Sequence, residues 1–556
     1  MEENTEHGRK KSSNFLVQGS IYAVSAIISS IIGLLYRLPL TRIIGDDGIG
    51  YYSAAFNVYT IILLLSSYSL PLAVSKMISA RISKGSYINA RRILNASILY
   101  ATVVGGAGFC IIWFGAGWFA SFFLKMPESV YALKALAPTV WIVSYLGVMR
   151  GYYQGYSTMV PTSVSQVIEQ LVNAVVSVGA AWFLLHYAMR AGMNPKNVYG
   201  YGAMGGTIGT GAGAFSALLM FLILFICGRK YFKKRVKEDR SIHTESYREI
   251  SGILFMTVVP VILSTAVYNV SGIIDTSIFG NTMASMGLAS KTAGDFGIYS
   301  GKYKVLINVP IAIANALSSS LIPTLSGANA ARDKGQVESS ISKAIRFSMI
   351  VAIPAAVGLA VLAEPIISLL FGAGSSERAV LMMHVGSIAV ILYSLSTVSN
   401  AILQGTSHMR VPLRHAVISL LIHICALLIC LNIFHLGIFG VVFADIVFAL
   451  CMCLFNAASI RKILTYRQEI KRTFLLPALC ASIMGAAAYF LYRFITRILY
   501  RFGFRILAGT VLSILAAILI YGSLLIRTGC ITEYDLTFFP GGKKLVRAAR
   551  RLHLLT

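Results

Sequence analysis

The chain has 556 residues, of which 56% are hydrophobic and only 12% charged, about half the charged share of a water-facing domain. Its 48 Lys and Arg outnumber 21 Asp and Glu, a net charge of +27 that in a soluble protein would suggest nucleic acid. Apolar runs of about 20 residues, each able to cross a hydrocarbon core, recur from Phe15 almost to Arg527. They exclude that class, together with disorder, collagen and a disulfide scaffold.

The stretch Met1–Asn14 is polar, carries Arg9, Lys10 and Lys11, and lacks a signal-peptide cleavage pattern. Fourteen spans are then expected, at 15–36, 51–75, 93–120, 132–154, 160–187, 199–228, 250–279, 298–325, 341–371, 380–404, 411–434, 436–460, 474–492 and 506–526. With the N-terminus inside, basic residues concentrate on the cytoplasmic side, which places both termini in the cytoplasm. The densest block holds Arg229, Lys230, Lys233, Lys234, Arg235, Lys237, Arg240 and Arg248, expected to fix topology and touch anionic membrane lipids. Nucleic acid is not expected as a partner, and nothing in the sequence sets an oligomeric state. Arg493, Arg497, Arg501 and Arg505 share one helical face on the outer side, as interfacial anchors at a helix end. Eight cysteines without zinc-ligand spacing read as small core hydrophobes. No polar stretch exceeds about 30 residues, too short for a catalytic domain, so no enzyme is expected.

A weak internal repeat has an offset near 250. Gln154-Gly155-x-x-x-Met159-x-Pro161 returns as Gln404-Gly405-x-x-x-Met409-x-x-Pro412, and Tyr52-Ser53 as Tyr299-Ser300. Ser69-Leu70-Pro71-Leu72 with Ala80-Arg81-x-x-Lys84-Gly85 returns as Leu321-Ile322-Pro323-Thr324 with Ala331-Arg332-x-Lys334-Gly335. Six spans separate equivalent points, an even number, so the halves are parallel repeats, an arrangement transporters use. The expected organisation is an N-lobe at 1–228, a basic cytoplasmic linker at 229–248, a C-lobe at 249–460, and two extra helices with a basic cytoplasmic tail at 461–556. The fold class is an all-α polytopic membrane protein.

A charge at mid-bilayer costs about 2.5–3.5 kcal/mol on insertion scales and needs a partner or a wet cavity. Arg37 and Arg42 close the first span, with Asp46 and Asp47 beyond. Glu169 shares a face of the fifth span with Gln166 and Asn173. Asp275 lies deep in the seventh span, Lys302 and Lys304 open the eighth, His423 is in the eleventh and Asp445 in the twelfth. The acids and bases either neutralise one another as structural glue or serve a ligand. Cations such as Arg37 and Lys302 suit an anionic substrate, a phosphate above all; Asp275 and Glu169 suit a coupling cation or an ion pair. The glycine run Gly202 to Gly213 lacks the strand and the Lys-Ser/Thr of a phosphate loop, and reads as close helix packing.

The run Gly151-Tyr-Tyr-Gln154-Gly155 through Met159, Pro161, Ser165 and Gln166 to Glu169-Gln170 resembles the polysaccharide-export branch of the multidrug/oligosaccharidyl-lipid/polysaccharide exporter superfamily. Within it the chain is similar to the stage V sporulation protein B group, related to lipid II flippases. Arg37-Leu-Pro39 through Arg42 to Gly45, Gly48 and Gly50, with Leu70-Pro71 and Leu321-Ile322-Pro323, support the resemblance. It implies a V-shaped, two-lobed flippase with alternating access, in which cavity cations engage a pyrophosphate and the last two helices guide a polyprenyl tail. Tyr299-Ser-Gly-Lys302 matches the family's aromatic-x-x-Arg with lysine for arginine, and Asp275 matches an aspartate associated with sodium in some relatives.

The expected substrate is an undecaprenyl-linked anionic saccharide, with peptidoglycan lipid II as the best single candidate. Arg37 and Lys302 would hold its phosphates, with Arg42 also among the substrate-binding residues; Gln166 and Glu169 would shape the cavity or meet sugar hydroxyls, and Asp275 would sense a coupling cation or proton. No cofactor is expected; Na+ or H+ coupling, or the membrane potential, would drive the step. Teichoic-acid, capsule or spore-cortex precursors are the nearest alternatives, and a cation-coupled drug antiporter of the same superfamily the next. The expected location is the bacterial cell membrane.

Overall fold

A computed structural model describes residues 21–22, 24–239, 244–372 and 377–531, together with Arg547 and Arg550. Backbone N–H and C=O groups find no water in hydrocarbon, so apolar segments satisfy them internally as helices. In chain order these are α1 (Val24–Leu35), α2 (Arg37–Ser66), α3 (Leu70–Ile82), α4 (Tyr87–Tyr100), α5 (Gly106–Trp118), α6 (Ser129–Gly155), α7 (Val160–Arg190), α8 (Pro195–Cys227), α9 (Arg229–Lys237) and α10 (Tyr247–Ser285). They continue as α11 (Thr292–Ile298), α12 (Lys304–Ala330), α13 (Lys334–Val361), α14 (Ala363–Phe371), α15 (Glu377–Gly386), α16 (Ile388–Gly405), α17 (Arg410–Asn432), α18 (Ile438–Leu464), α19 (Leu476–Ile498) and α20 (Arg505–Arg527). Wider π turns extend four of them, at Ala101–Gly105, Phe119–Phe123, Tyr299–Tyr303 and Lys471–Leu475. No strand occurs among the described residues.

Twelve helical segments among the described residues are long and apolar enough to cross a membrane, coinciding with twelve of the fourteen expected spans. Of the other two, the span at 15–36 is represented by the shorter apolar α1, and 250–279 falls within the 39-residue α10. Residues 15–20, Arg240 and most of the basic tail lie outside the described residues.

The chain forms two compact units, the first ending at Gly297 and the second beginning at Ile298. In the first, α7 and α8 pair as a hairpin packed on α6 and α2, and α10 lies against α2, α3 and α4. The glycine run of α8 makes the hairpin close: a Cβ at Gly205 or Gly213 would strike the α7 backbone at Ala180–Ala181 or Glu169. This is the packing role expected of small residues in membranes. A further core joins Leu70, Val74 and Ile78 of α3 to Ile93 of α4, Leu146 of α6, Phe221 of α8 and Leu254 of α10.

Polar contacts dock the segment after α9 on the α3–α4 turn. Arg81 forms a two-pronged ion pair with Glu245, at 2.9 Å for both bonds. The Glu245 N–H donates to Asn89 (2.9 Å), and the Ile88 N–H at the start of α4 donates to Asp239 (2.6 Å). The Arg92 guanidinium lies 4.6 Å from the Tyr247 ring centre, and Ser246 with Glu249 closes a capping box on α10.

In the second unit α12 packs on α13 and α16, α17 pairs with α18, and the α19–α20 hairpin rests on α13. The Tyr521 hydroxyl donates to the Ile350 carbonyl at 3.0 Å, tying α20 to α13. The arginine stripe lies at one end of that hairpin, with Arg493 4.9 Å from the Tyr489 ring centre and Arg501 bonded to the Tyr500 hydroxyl.

The sequence repeat reappears as one backbone turn made twice. α6 ends at Gly155 and α16 at Gly405, and each is followed by a serine in the left-handed region, Ser157 (φ 60°) and Ser407 (φ 67°). The Ser157 N–H donates to the Gln154 carbonyl and the Ser407 N–H to that of Gln404, at 2.9 and 3.1 Å. The cysteines divide differently from expectation. All eight are free thiols, but only Cys453, Cys480 and Cys530 are buried, while Cys110, Cys227 and Cys425 are exposed. An exposed face of an apolar helix suits a small, weakly polar thiol as well as a core does. Burial pushes the Cys530 thiol up, away from the reactive thiolate.

Candidate functional site

Several groups of polar side chains are built into the helix bundles. In the first unit, α6 and α7 run antiparallel around the turn at Ser157, which brings Arg150 beside Glu169. Arg150 donates to the Glu169 carboxylate at 2.6 Å and to the Ser165 hydroxyl at 3.1 Å. Both side chains are largely buried, so this is a compensated pair inside apolar surroundings. Gln166, one turn before Glu169, reaches α1 instead: the Ser25 hydroxyl donates to its carbonyl at 3.3 Å. Its amide donates to the Tyr22 hydroxyl at 3.4 Å.

Arg37 opens α2, half-buried beside the hydroxyls of Tyr36 and Tyr52, which lie 3.4 Å apart. Phenols hydrogen-bond a guanidinium without neutralising it, so Arg37 keeps its positive charge. Arg42 is exposed further along the same helix. Asp275 on α10 is buried at 3% exposure, next to Thr276. The Asn57 amide of α2 donates to the Thr276 hydroxyl (2.8 Å) and the Gly272 carbonyl (3.1 Å), fixing this stretch of α10.

In the second unit Asp445 of α18 accepts three hydrogen bonds. Its donors are the Lys304 ammonium at 2.9 Å, the Tyr299 hydroxyl at 2.5 Å and the Tyr393 hydroxyl at 3.2 Å. The same ammonium faces the rings of Tyr299 and Tyr393, 5.2 and 5.9 Å from their centres. Lys302 lies in the π turn Tyr299–Tyr303 and is buried at 5% exposure. A further group joins α16, α17 and α18, where Asn456 accepts from His415 at 2.8 Å and donates to Ser399 and Asn400. Its two amide donors point at Ser399 and Asn400, which orients the carbonyl to the ring and makes His415 Nδ1 the donor.

The six residues singled out from sequence thus divide between the units. Arg37, Arg42, Gln166, Glu169 and Asp275 lie in the first and Lys302 in the second. Gln166 and Glu169 share one helix face, as expected, yet bond to different partners. Sequence reasoning missed Arg150 altogether, and it named Lys304 and Asp445 without pairing them. A usable signal existed for Arg150: consecutive spans carry one buried-position cation and one anion on either side of a single turn. Chemically, Glu169 and Asp445 are each engaged by a base. Arg37 is left among neutral hydroxyls, suited to an anion.

If Arg150 and Glu169 act as one pair, Arg150→Ala and Glu169→Ala should each destabilise the detergent-solubilised protein by about 3 kcal/mol, through the charge left behind. The double variant should lose less than the sum of the two. Melting curves of all four proteins check this, and strict additivity would dissolve the pair.

The family model described as Polysaccharide biosynthesis protein matches residues 16–329, and a second model of that description matches 286–377. The chain is 27% identical over 491 residues to the lipid II flippase MurJ of Bacillus subtilis (strain 168), covering 85% of this chain and 88% of that protein. It is 24% identical to stage V sporulation protein B of the same organism, covering 84% and 89%. Among solved structures, a lipid II flippase MurJ in an inward closed conformation is similar with a TM-score of 0.66 at 15% identity, covering 90% of this chain and 97% of that one. At that identity the likeness speaks for the fold, a helical transporter architecture.

Proposed function

This chain belongs to the polysaccharide biosynthesis protein family, and from that premise we propose that it is a flippase carrying a polyprenyl-linked anionic saccharide from the inner to the outer leaflet of the bacterial cell membrane. Peptidoglycan lipid II is the proposed substrate. The observation that carries this reading is the similarity to a lipid II flippase through most of the chain, rather than through one of its units. The protein is a transporter and not an enzyme.

In this reading Arg37 and Lys302 take the substrate's phosphates, and Arg42 extends the positive surface from α2. Gln166, and Glu169 neutralised by Arg150, offer hydrogen-bonding groups suited to sugar hydroxyls. Asp275 senses the coupling cation. A net negative substrate moving outward is favoured by about 2.3 kcal/mol per charge at 100 mV, interior negative, so the potential alone supplies a useful driving force. Both termini face the cytoplasm.

A second reading, favoured by the similarity to stage V sporulation protein B, keeps the mechanism and changes the glycan to another polyprenyl-linked precursor. Rescue of a bacterium depleted of its lipid II flippase separates the two. Growth restored by the full chain supports lipid II. A well-expressed chain that fails to restore growth rejects that substrate and moves the assignment to the second reading.

A further inference from the structure

The basic helix α9 has two sides with different partners. At about 100° per residue, Arg229, Lys230, Lys233, Lys234 and Lys237 fall within an arc of about 140°. All five are exposed. Arg235, the one remaining cation of this helix, points out of that arc. It donates to the Tyr87 hydroxyl at 3.3 Å, stacks 5.6 Å from that ring's centre, and lies 3.7 Å from Glu238. The acids that follow, Asp239 and Glu245, are held on the α3–α4 turn by Ile88 and Arg81. The segment's negative charge therefore goes to the protein, while an uninterrupted cationic face is turned away from it.

Position decides what that face meets. α9 begins one residue after α8, a membrane span, so its nine residues reach at most about 14 Å beyond the membrane exit. That is within two Debye lengths of about 8 Å at physiological salt. We infer that α9 is a docked lipid-binding platform: Arg229, Lys230, Lys233, Lys234 and Lys237 bind the phosphate headgroups of an anionic bilayer surface, and the Arg81–Glu245, Ile88–Asp239 and Arg235–Tyr87 contacts hold the helix in place to do so. The platform binds bulk anionic lipid at the surface and is separate from the transport residues.

Hydrogen–deuterium exchange of the full chain in lipid nanodiscs tests this independently of transport. Amides of 229–239 should exchange about threefold or more slowly in discs containing phosphatidylglycerol than in phosphatidylcholine discs, with high salt removing the difference. The K230Q/K233Q/K234Q/K237Q variant should lose the lipid dependence while exchange in the spans stays unchanged, which reports intact folding. Glu245→Gln should speed exchange of the segment in both lipids and keep the dependence. Equal exchange of the wild type in the two discs overturns the inference. Protection by inorganic phosphate in phosphatidylcholine discs also overturns it, because the site would then be one for a soluble anion.

Discussion

Replacing Arg37 or Lys302 by alanine should abolish rescue of a flippase-depleted bacterium at unchanged membrane abundance. A charge-assisted hydrogen bond to a phosphate contributes about 2 kcal/mol, so losing one cation slows transport about thirtyfold and losing both about a thousandfold. A growth assay turns such a deficit into failure. Lys302 is buried in a π turn, so its alanine variant also removes packing. Lys302→Met keeps the aliphatic stem and deletes only the charge; it should fail as alanine does, with an unchanged melting temperature. Full rescue by both Arg37→Ala and Lys302→Ala would remove these residues from the substrate path.

The second large effect concerns how α2 meets α11. A Cβ on Gly50 would fall on the Ala293 carbonyl, and one on Gly297 would fall on the Asp46 carbonyl, 2.9 Å from the Gly50 nitrogen. The obstacle in each case is backbone, which has no rotamer to yield. Gly50→Val and Gly297→Val should each cost about 3 kcal/mol, at the upper end for overpacking, and prevent recovery of a monodisperse protein from detergent. Gly179→Ala is the control: it sits mid-helix in α7 with nothing within 4 Å of the new methyl group, and should be neutral or slightly stabilising. Monodisperse Gly297→Val protein with an unchanged melting temperature would show that the two helices do not need this close approach. The pairing gives Gly50, the last glycine of the Gly45-x-x-Gly48-x-Gly50 stretch, a physical reason.

The helical class and most spans are legible in the sequence because hydrocarbon imposes one rule on every segment that crosses it. The repeat is legible for a similar reason: a left-handed serine after Gly155 and Gly405 needs the same short sequence around it twice. Side-chain partners are a different matter. Spacing rules connect residues three or four apart on one helix, which groups Gln166 with Glu169 but is blind to Arg150 on the neighbouring helix. Lys304 and Asp445 are further apart still, and meet only because α12, α16 and α18 assemble around them. The two sides of α9 were written in its periodicity, but only Tyr87 and Asp239 reveal which side faces inward.

The π turn at Tyr299–Tyr303 has an evolutionary implication. Such a turn lodges one residue more than an α turn, so deleting a single codon there would let the helix heal into regular α geometry. The helical segments on either side would keep their phase, because the wider turn already absorbs the extra residue, and only residues within the turn would change the direction they face. Lys302 would leave its buried position while Lys304 kept its place beside Asp445. Lineages can therefore move this cation in one discrete step by insertion or deletion, without substituting it. Relatives compared by substitution alone would be aligned one column out within this turn.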